Sequence, residues 1–305
     1  MKKFFLISCL FVFCVGCFDI IAGIIAKPVI LDEPDAGTTH SCVKQSFYDK
    51  KCELLVLGAS RANHHYNTKI LEDEFDLSCY NAGIDGNSVL LSYVQLKAFL
   101  KRCHPKIVIL DVSTGQLNGN WKTRYYYHKC HYGIQNDYSD VINRFGTIGE
   151  RICMHSWLYK LNEAIPDLFE SYLLGDKECT GYIPLRGTTP GIQAYEERDE
   201  NMFSFGEEHL EVLKAIVNEC KNQSIFLAII NSPSLIIHTN GIWDVVADFC
   251  NKTNVPFINY QSDSVYISHP EWFKDYTHLN ETGANYYTKE ITQLLKPMIQ
   301  DNLDK

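Results

Sequence analysis

Positive charge is in short supply in this 305-residue chain: 28 Lys and Arg against 37 Asp and Glu leave a formal net charge of −9. Basic residues come only as isolated pairs such as Lys50-Lys51 and Lys101-Arg102. A nucleic-acid binder needs a basic stripe to neutralise phosphates, so nucleic acid is excluded as a partner. Regular cysteine spacing is missing too. Of 12 cysteines, Cys9, Cys14 and Cys17 crowd the N-terminus and the others are scattered, which excludes a zinc ribbon or a disulfide scaffold of fixed pattern. His128-Lys129-Cys130-His131 has ligand-type residues, but no second ligand pair follows at finger-like spacing, so no metal is expected. No other cofactor is expected either. Buried free thiols are the expectation, with some disulfides if the chain is exported. Hydrophobic residues make up 46% and charged residues 21%, which excludes a disordered, collagenous or multi-span membrane chain. The length suits one large domain or two small ones.

The N-terminus reads as an export segment. Lys2-Lys3 precede an uncharged run from Phe4 to Phe18, which fits the basic and apolar regions of a signal sequence. Asp19 interrupts the run, but Ile20 to Ala26 is apolar again, so an uncleaved, tilted anchor is an alternative. Val15-Gly16-Cys17 offers a third, a lipidated cysteine, although Cys14 stands where such signals usually carry leucine. Residues 1–26 are therefore expected to be a signal or membrane anchor. Residues 27–50, polar and holding Pro28, Pro34 and Gly37, read as a linker, and 51–300 as the globular domain.

Within that domain short apolar runs alternate with amphipathic stretches. Strands are expected at 53–57, 78–80, 107–111, 225–230 and 256–259. Helices are expected at 66–75, 88–102, 207–220, 243–250 and 281–296. Continuous apolar strands imply a sheet covered on both faces, and the alternation implies parallel strands with crossover helices. The expected fold is a three-layer α/β/α sandwich around a mostly parallel five-stranded sheet. Residues from about 115 to 205 break the rhythm and read as a long insertion after the third strand, partly helical. Its rings (Trp121, Tyr125, Tyr126, Tyr127, Tyr132, Tyr138, Trp157, Tyr159, Tyr172) either stack on sugar or form the insertion's own small core.

Ligands of open α/β sheets bind beyond the carboxyl ends of the strands. After the first strand comes Gly58-Ala59-Ser60-Arg61, after the second Asn81-Ala82-Gly83, and after the third Asp111-Val112-Ser113; Asp275-Tyr276-Thr277-His278 precedes the last helix. A serine hydroxyl needs a base within hydrogen-bond reach and a carboxylate to hold that base's tautomer. Ser60, His278 and Asp275 are the candidates for nucleophile, base and orienting acid. The N–H groups of Ser60 and Gly83 are candidate oxyanion donors, and Asn280 is a candidate cap for the last helix. Each motif alone is common; their order along the chain puts all three side chains at one edge of one sheet. Arg61 either clamps an anionic substrate or makes a structural salt bridge. His64 and His65 either bind substrate or, as is preferred on a first helix turn, are solvent-facing or capping, and Asp111 reads as a rim carboxylate bonded to the amides of the Ser60 loop.

Over about residues 52–296, the middle insertion aside, these blocks resemble the SGNH/GDSL hydrolase superfamily. Gly58-Ala59-Ser60-Arg61 is similar to its nucleophile block, Asn81-Ala82-Gly83 to its oxyanion-glycine block, and Asp275-Tyr276-Thr277-His278 to its acid–base block. The run His278-Leu279-Asn280-Glu281-Thr282-Gly283 is similar to the family's usual continuation. One block departs. The family's third block reads Gly-x-Asn-Asp and its asparagine supplies a further oxyanion donor, whereas this chain has Asp111-Val112-Ser113-Thr114-Gly115-Gln116. Asn118, Asn87 and Ser113 are the candidates to replace that donor. Acyl-transferring relatives, such as the D-alanyl-transfer protein of teichoic-acid assembly, also deviate here.

The resemblance implies a flavodoxin-like hydrolase fold. It also implies an exported, membrane-attached serine esterase or acyltransferase acting on acylated small molecules or envelope glycans. Arg61, Asn81 and Asn87 are the expected substrate-binding residues. A non-catalytic binding or assembly protein that keeps the fold is the alternative. Asn-x-Ser/Thr triplets at Asn222, Asn251 and Asn280 put a potential glycan beside the proposed base, which favours a bacterial envelope over a eukaryotic secretory route.

Overall fold

The computed structural model describes residues 1–117, 126–197, 207–239 and 241–303. Asn118, Trp121 and Tyr125 lie outside the described residues, as do the side chains of Tyr126 and Tyr127. In chain order the first elements are α1 (Lys2–Leu31), α2 (Thr39–Lys44), β1 (Leu54–Leu57), α3 (Ser60–His65), α4 (Thr68–Phe75), β2 (Cys79–Asn81), α5 (Val89–Leu100), β3 (Ile107–Asp111) and α6 (Thr114–Leu117). A 3₁₀ turn at Tyr126–His131 leads to α7 (Asn136–Phe145), α8 (Ile148–Cys153), α9 (Trp157–Leu161) and α10 (Ala164–Leu174). The chain closes with β4 (Tyr195–Glu197), α11 (Glu207–Asn222), β5 (Phe226–Asn231), β6 (Ile236–His238), α12 (Ile242–Thr253), β7 (Phe257–Asn259), α13 (Ser264–Ser268) and α14 (Glu281–Leu303).

Two compact units result, Met1–Gln45 with Tyr125–Glu178, and Ser46–Arg124 with Cys179–Lys305. In the first, α1 is long and apolar enough to cross a membrane, with a mean hydropathy of 2.6 over its most apolar window. Its last turns pack inward: Ala22, Ala26 and Ile30 join Cys130, Leu161, Ala164 and Leu168 in a small core. Asp19, the acid inside the apolar run, has a specific task. Its carboxylate accepts from Ser156 Oγ (2.7 Å), Trp157 N (3.0 Å) and Leu158 N (2.8 Å), capping the start of α9. The segment 27–50, expected as a linker, is mostly helical: α1 runs to Leu31, α2 follows, and a π-helical turn covers Gln45–Asp49. Tyr132 and Tyr138 are buried, so these two rings serve the insertion's own packing.

The second unit carries the sheet. Its strands run in the order β2-β1-β3-β5-β7 with every pairing parallel. The register aligns Leu54 with Cys79 and Ile107, and Ile107 with Phe226. Every residue of β1, β3 and β5 is buried, as strands covered on both faces must be. Alternate residues Leu54, Val56, Ile107, Ile109, Phe226 and Ala228 face a core shared with Tyr66, Leu71, Tyr287 and Ile291 of α4, α14 and the segment between α3 and α4. Leu55, Leu57, Val108 and Leu110 point the other way, toward the side where α5 and α11 pack together. The three-layer α/β/α sandwich with a parallel five-stranded sheet is thus the observed architecture of this unit. A separate two-stranded parallel sheet joins β4 to β6.

The element bounds differ from expectation at one informative place. The stretch 66–75 is not one helix: Tyr66 is extended at ψ 99°, and Asn67 caps α4 by accepting from Lys69 N at 3.0 Å. A separate short helix, α3, begins at Ser60. The region 115–205 is likewise not one body, since 125–178 belongs to the first unit and 179–197 to the second.

Candidate active site

The chain leaves β1, turns outward to β2, then crosses back to β3 on the other side of β1. Successive connections therefore diverge at the carboxyl ends of β1 and β3, the position at which doubly wound sheets open a crevice. Ser60 follows β1 there as the first residue of α3. Its backbone N–H, in the first helical turn, has no intrahelical acceptor. The turn is tight. Gly58 has φ +150°, and a Cβ on it would lie 2.7 Å from Asp111 O and from Ala62 Cβ. Gly83 is pressed as closely against α3, because its Cβ would stand 2.4 Å from Asn63 N. Both glycines are required by backbone contact.

The acid–base pair is presented by a short hairpin. Phe273 and Leu279 form an antiparallel bridge, and Lys274 N donates to His278 O at 2.8 Å. His278 Nε2 lies 2.7 Å from Ser60 Oγ, and His278 Nδ1 lies 2.9 Å from both oxygens of Asp275. Asp275 Oδ1 also accepts from Thr277 N (2.9 Å), His278 N (3.0 Å) and Thr277 Oγ1 (3.1 Å). Burial raises the Asp275 pKa, but the hydrogen bonds from His278 and Thr277 outweigh it and hold the carboxyl well below the usual range. Asn280 caps α14 as expected, accepting from Thr282 N and Gly283 N at 3.1 Å each.

The side chains around the Ser60–His278–Asp275 relay depart from several expectations. His64 and His65 are buried, not solvent-facing. His65 Nε2 accepts the Leu279 N–H at 2.9 Å, which leaves Nδ1 as the protonated nitrogen, donating to Ser232 Oγ at 3.0 Å. Burial, with Arg61, His278 and His64 adding to it, keeps the His65 pKa well below its ordinary value. The ring is neutral and fixes the backbone next to His278. His64 pairs with Asp85 (3.2 Å) and with Ile183 O (2.7 Å), its ring edge-on to that of His278 at 5.6 Å. Burial lowers the His64 pKa, and the bonds to Asp85 and Ile183 more than reverse this.

Arg61, Asn81 and Asn87 do not project toward a substrate. Arg61 is 6% exposed and donates to Ser232 O, Val112 O and Asn231 Oδ1, with Asp111 facing its Nε at 3.7 Å. Of the two readings for Arg61, the structural one holds. Asn81 Nδ2 donates to Ala62 O and Tyr66 O, tying β2 to α3 and to the turn that follows it, and Asn87 Nδ2 donates to Gly58 O. Both are buried. Asp111 is fully buried and accepts from Tyr66 OH at 2.8 Å rather than bonding the Ser60 loop amides. The Gly83 N–H donates to Asn81 Oδ1 at 2.9 Å, so an oxyanion would have to compete with that carbonyl.

Two features near the strand ends escape the sequence motifs. At the end of β3, where the resemblance calls for an asparagine, Gln116 Oε1 accepts from Ser113 N at 2.8 Å. That turns the Gln116 amide Nε2, buried and without a partner among the described residues, into a spare donor. The segment 180–191, read as insertion, straps the site: Ile183 N donates to Asn63 O, Glu281 N to Leu185 O, and Thr189 N to Lys274 O. It bridges the nucleophile helix and the acid–base hairpin. No signal at the level of motifs could have placed it there.

Comparisons with known proteins add little. No family model and no curated protein matches this chain. Solved structures that are similar to it include a Bacteroides fragilis NCTC 9343 protein assigned as an acylhydrolase. That pair shares 13% identity over 84% of this chain and 95% of that one, with a TM-score of 0.39. A Streptococcus pneumonia protein assigned as a platelet activating factor shares 12% over 90% and 99%, with a TM-score of 0.41. Likeness at this level carries no argument about chemistry. The α/β fold stands on the strand order and pairing themselves.

Proposed function

We propose that this chain is a membrane-attached serine esterase or acyltransferase of SGNH type acting on acyl esters of small molecules or cell-envelope glycans. The observation that carries the reading is the continuous relay from Ser60 Oγ through His278 to Asp275 at the crevice of the sheet. In the reaction His278 Nε2 takes the Ser60 proton as Oγ attacks the acyl carbonyl carbon. Asp275 keeps the Nδ1 proton in place and stabilises the imidazolium. The Ser60 N–H faces the developing oxyanion, with Gly83 N–H and Gln116 Nε2 as further donors. His278 then protonates the departing alcohol, and the acyl group on Ser60 passes to water or to a sugar hydroxyl. α1 supports attachment to a membrane by its length and hydropathy.

The engaged Gly83 amide favours the second reading, a binding protein that keeps the fold without turnover. Hydrolysis of a 4-nitrophenyl acetyl ester by the full chain in detergent separates them. Turnover that falls to background in both Ser60→Ala and His278→Ala supports the enzyme. Turnover unchanged in Ser60→Ala excludes the relay as its source. A wild-type chain that neither hydrolyses the ester nor reacts with a serine-directed probe supports the binding protein.

A further inference from the structure

The first unit holds a second cluster of chemically able side chains that the proposed reaction does not use. Glu33 lies in the loop after α1, His40 in α2, and Cys130 and His131 end the 3₁₀ turn. All four are buried, none more than 1% exposed. His40 Nδ1 is 2.6 Å from Glu33 Oε2, and its Nε2 is 3.0 Å from Cys130 Sγ. The His131 ring stacks on that of His40, centroids 5.5 Å apart. One ligand atom each from His40, Cys130 and His131 lies within 4.8 Å of the others.

We infer that His40, Cys130 and His131 form a binding site for a thiophilic divalent transition metal of the zinc type, with Glu33 as the outer-shell carboxylate that orients His40. Tetrahedral zinc bonds nitrogen at about 2.0–2.1 Å and thiolate at about 2.3 Å, so its ligand atoms stand roughly 3.3–3.8 Å apart. The 3.0 Å between His40 Nε2 and Cys130 Sγ and the 4.8 Å that bounds all three ligand atoms lie on either side of that spacing. The Glu33–His40 contact suits a carboxylate–histidine–metal arrangement: the carboxylate holds the proton on Nδ1, so Nε2, which faces Cys130 Sγ, is the nitrogen that would meet the ion. On binding, the Cys130 thiol proton leaves to solvent and the sulfur lone pair goes to the metal. The thiolate and the Glu33 carboxylate together then balance the dication.

A Cys–His–Glu series could also describe a nucleophile. A thiol and an imidazole with no exposed surface cannot meet a substrate carbon, whereas an ion captured during folding needs no such path. Three protein ligands leave one tetrahedral position to a group from outside the set, and with no exposed surface the site serves the stability of the unit rather than turnover. His40 and Cys130 are 90 positions apart in sequence, and the unit's apolar core is small, the setting in which a metal contributes most to stability.

The test is elemental analysis of the full chain purified in detergent without added metal, then cobalt(II) titration after chelation. About one zinc per chain is expected, falling to roughly a tenth or less in Cys130→Ser and His131→Gln but not in Cys153→Ser, whose thiol is exposed in the same unit. Glu33→Gln should weaken affinity about 10–100-fold. If the ligand variants fail to fold, the wild type decides alone: it should show a sulfur-to-cobalt charge-transfer band. Metal-free wild type that gives no such band with excess cobalt, or zinc retained in full by Cys130→Ser, overturns the site.

Discussion

In the proposed reaction Ser60 is reactive only while His278 presents an unprotonated Nε2 to it and Asp275 keeps the other ring nitrogen protonated. Replacing Asp275 with Asn leaves the shape but permits the wrong tautomer, and turnover of the acetyl ester should fall by about 10³–10⁴-fold with KM little changed. His65 makes a separate prediction about pH. Its folded pKa lies far below the ordinary histidine value near 6.5, so the unfolded chain binds the extra proton first. The stability it contributes is full above about pH 6.5 and is lost as pH falls below it. Chemical denaturation followed against pH should show that loss, and His65→Gln, whose amide oxygen can still accept the Leu279 N–H, should flatten it. Arg61 tests the corrected assignment. With a buried guanidinium serving three acceptors, Arg61→Ala should cost about 2–4 kcal/mol of stability, read as a fall in Tm. A raised KM at unchanged Tm would return Arg61 to the substrate. Ser60, Asp275 and His278 were legible because each sits in a short block with a recognisable neighbourhood. The burial of Arg61, Asn81 and Asn87 was not, since the oxygens they serve belong to other elements: Gly58 after β1, Ala62 and Tyr66 in and after α3, Val112 after β3, and Asn231 and Ser232 at the end of β5.

Among the elements, the strands were the most legible. Leu54 to Leu57 and Ile107 to Leu110 are unbroken apolar runs, too short for a buried helix and ended by Gly58 and Asp111, as strands of a sheet covered on both faces are. The boundary between α3 and α4 was hidden because Tyr66 keeps the apolar spacing of α4 while its own backbone is extended; Tyr66 is buried for its bonds to Asp111 and Tyr287, not for a helix. The close approach of β2's end to α3 gives an element-scale prediction. Gly83→Ala must push Asn63 N away, so it should destabilise by about 1–3 kcal/mol and reduce turnover together with Tm, whereas Gly149→Ala, with helical backbone and nothing near its Cβ, should leave both intact.

For the whole molecule, α1 joins two tasks. Its large apolar side chains from Phe4 to Phe18 are exposed, while Ala22, Ala26 and Ile30 belong to the first unit's core. Removing residues 1–26 should therefore do more than release the chain from a membrane. It should expose that core and cost the first unit its cooperative unfolding, seen as loss of a thermal transition, while the same cut made in a cleaved signal would leave the transition in place. The division into two units was not legible, because the first is assembled from segments about 80 residues apart whose contacts, such as His40 with Cys130, carry no local pattern. In the proposed reaction Ser60 Oγ is the atom that takes the acyl group. The most direct measurement is peptide mass mapping of the full chain after reaction with a fluorophosphonate. The predicted result is a single adduct on the peptide bearing Ser60, absent in Ser60→Ala and strongly slowed in His278→Ala; an adduct elsewhere, or an undiminished one in Ser60→Ala, contradicts it.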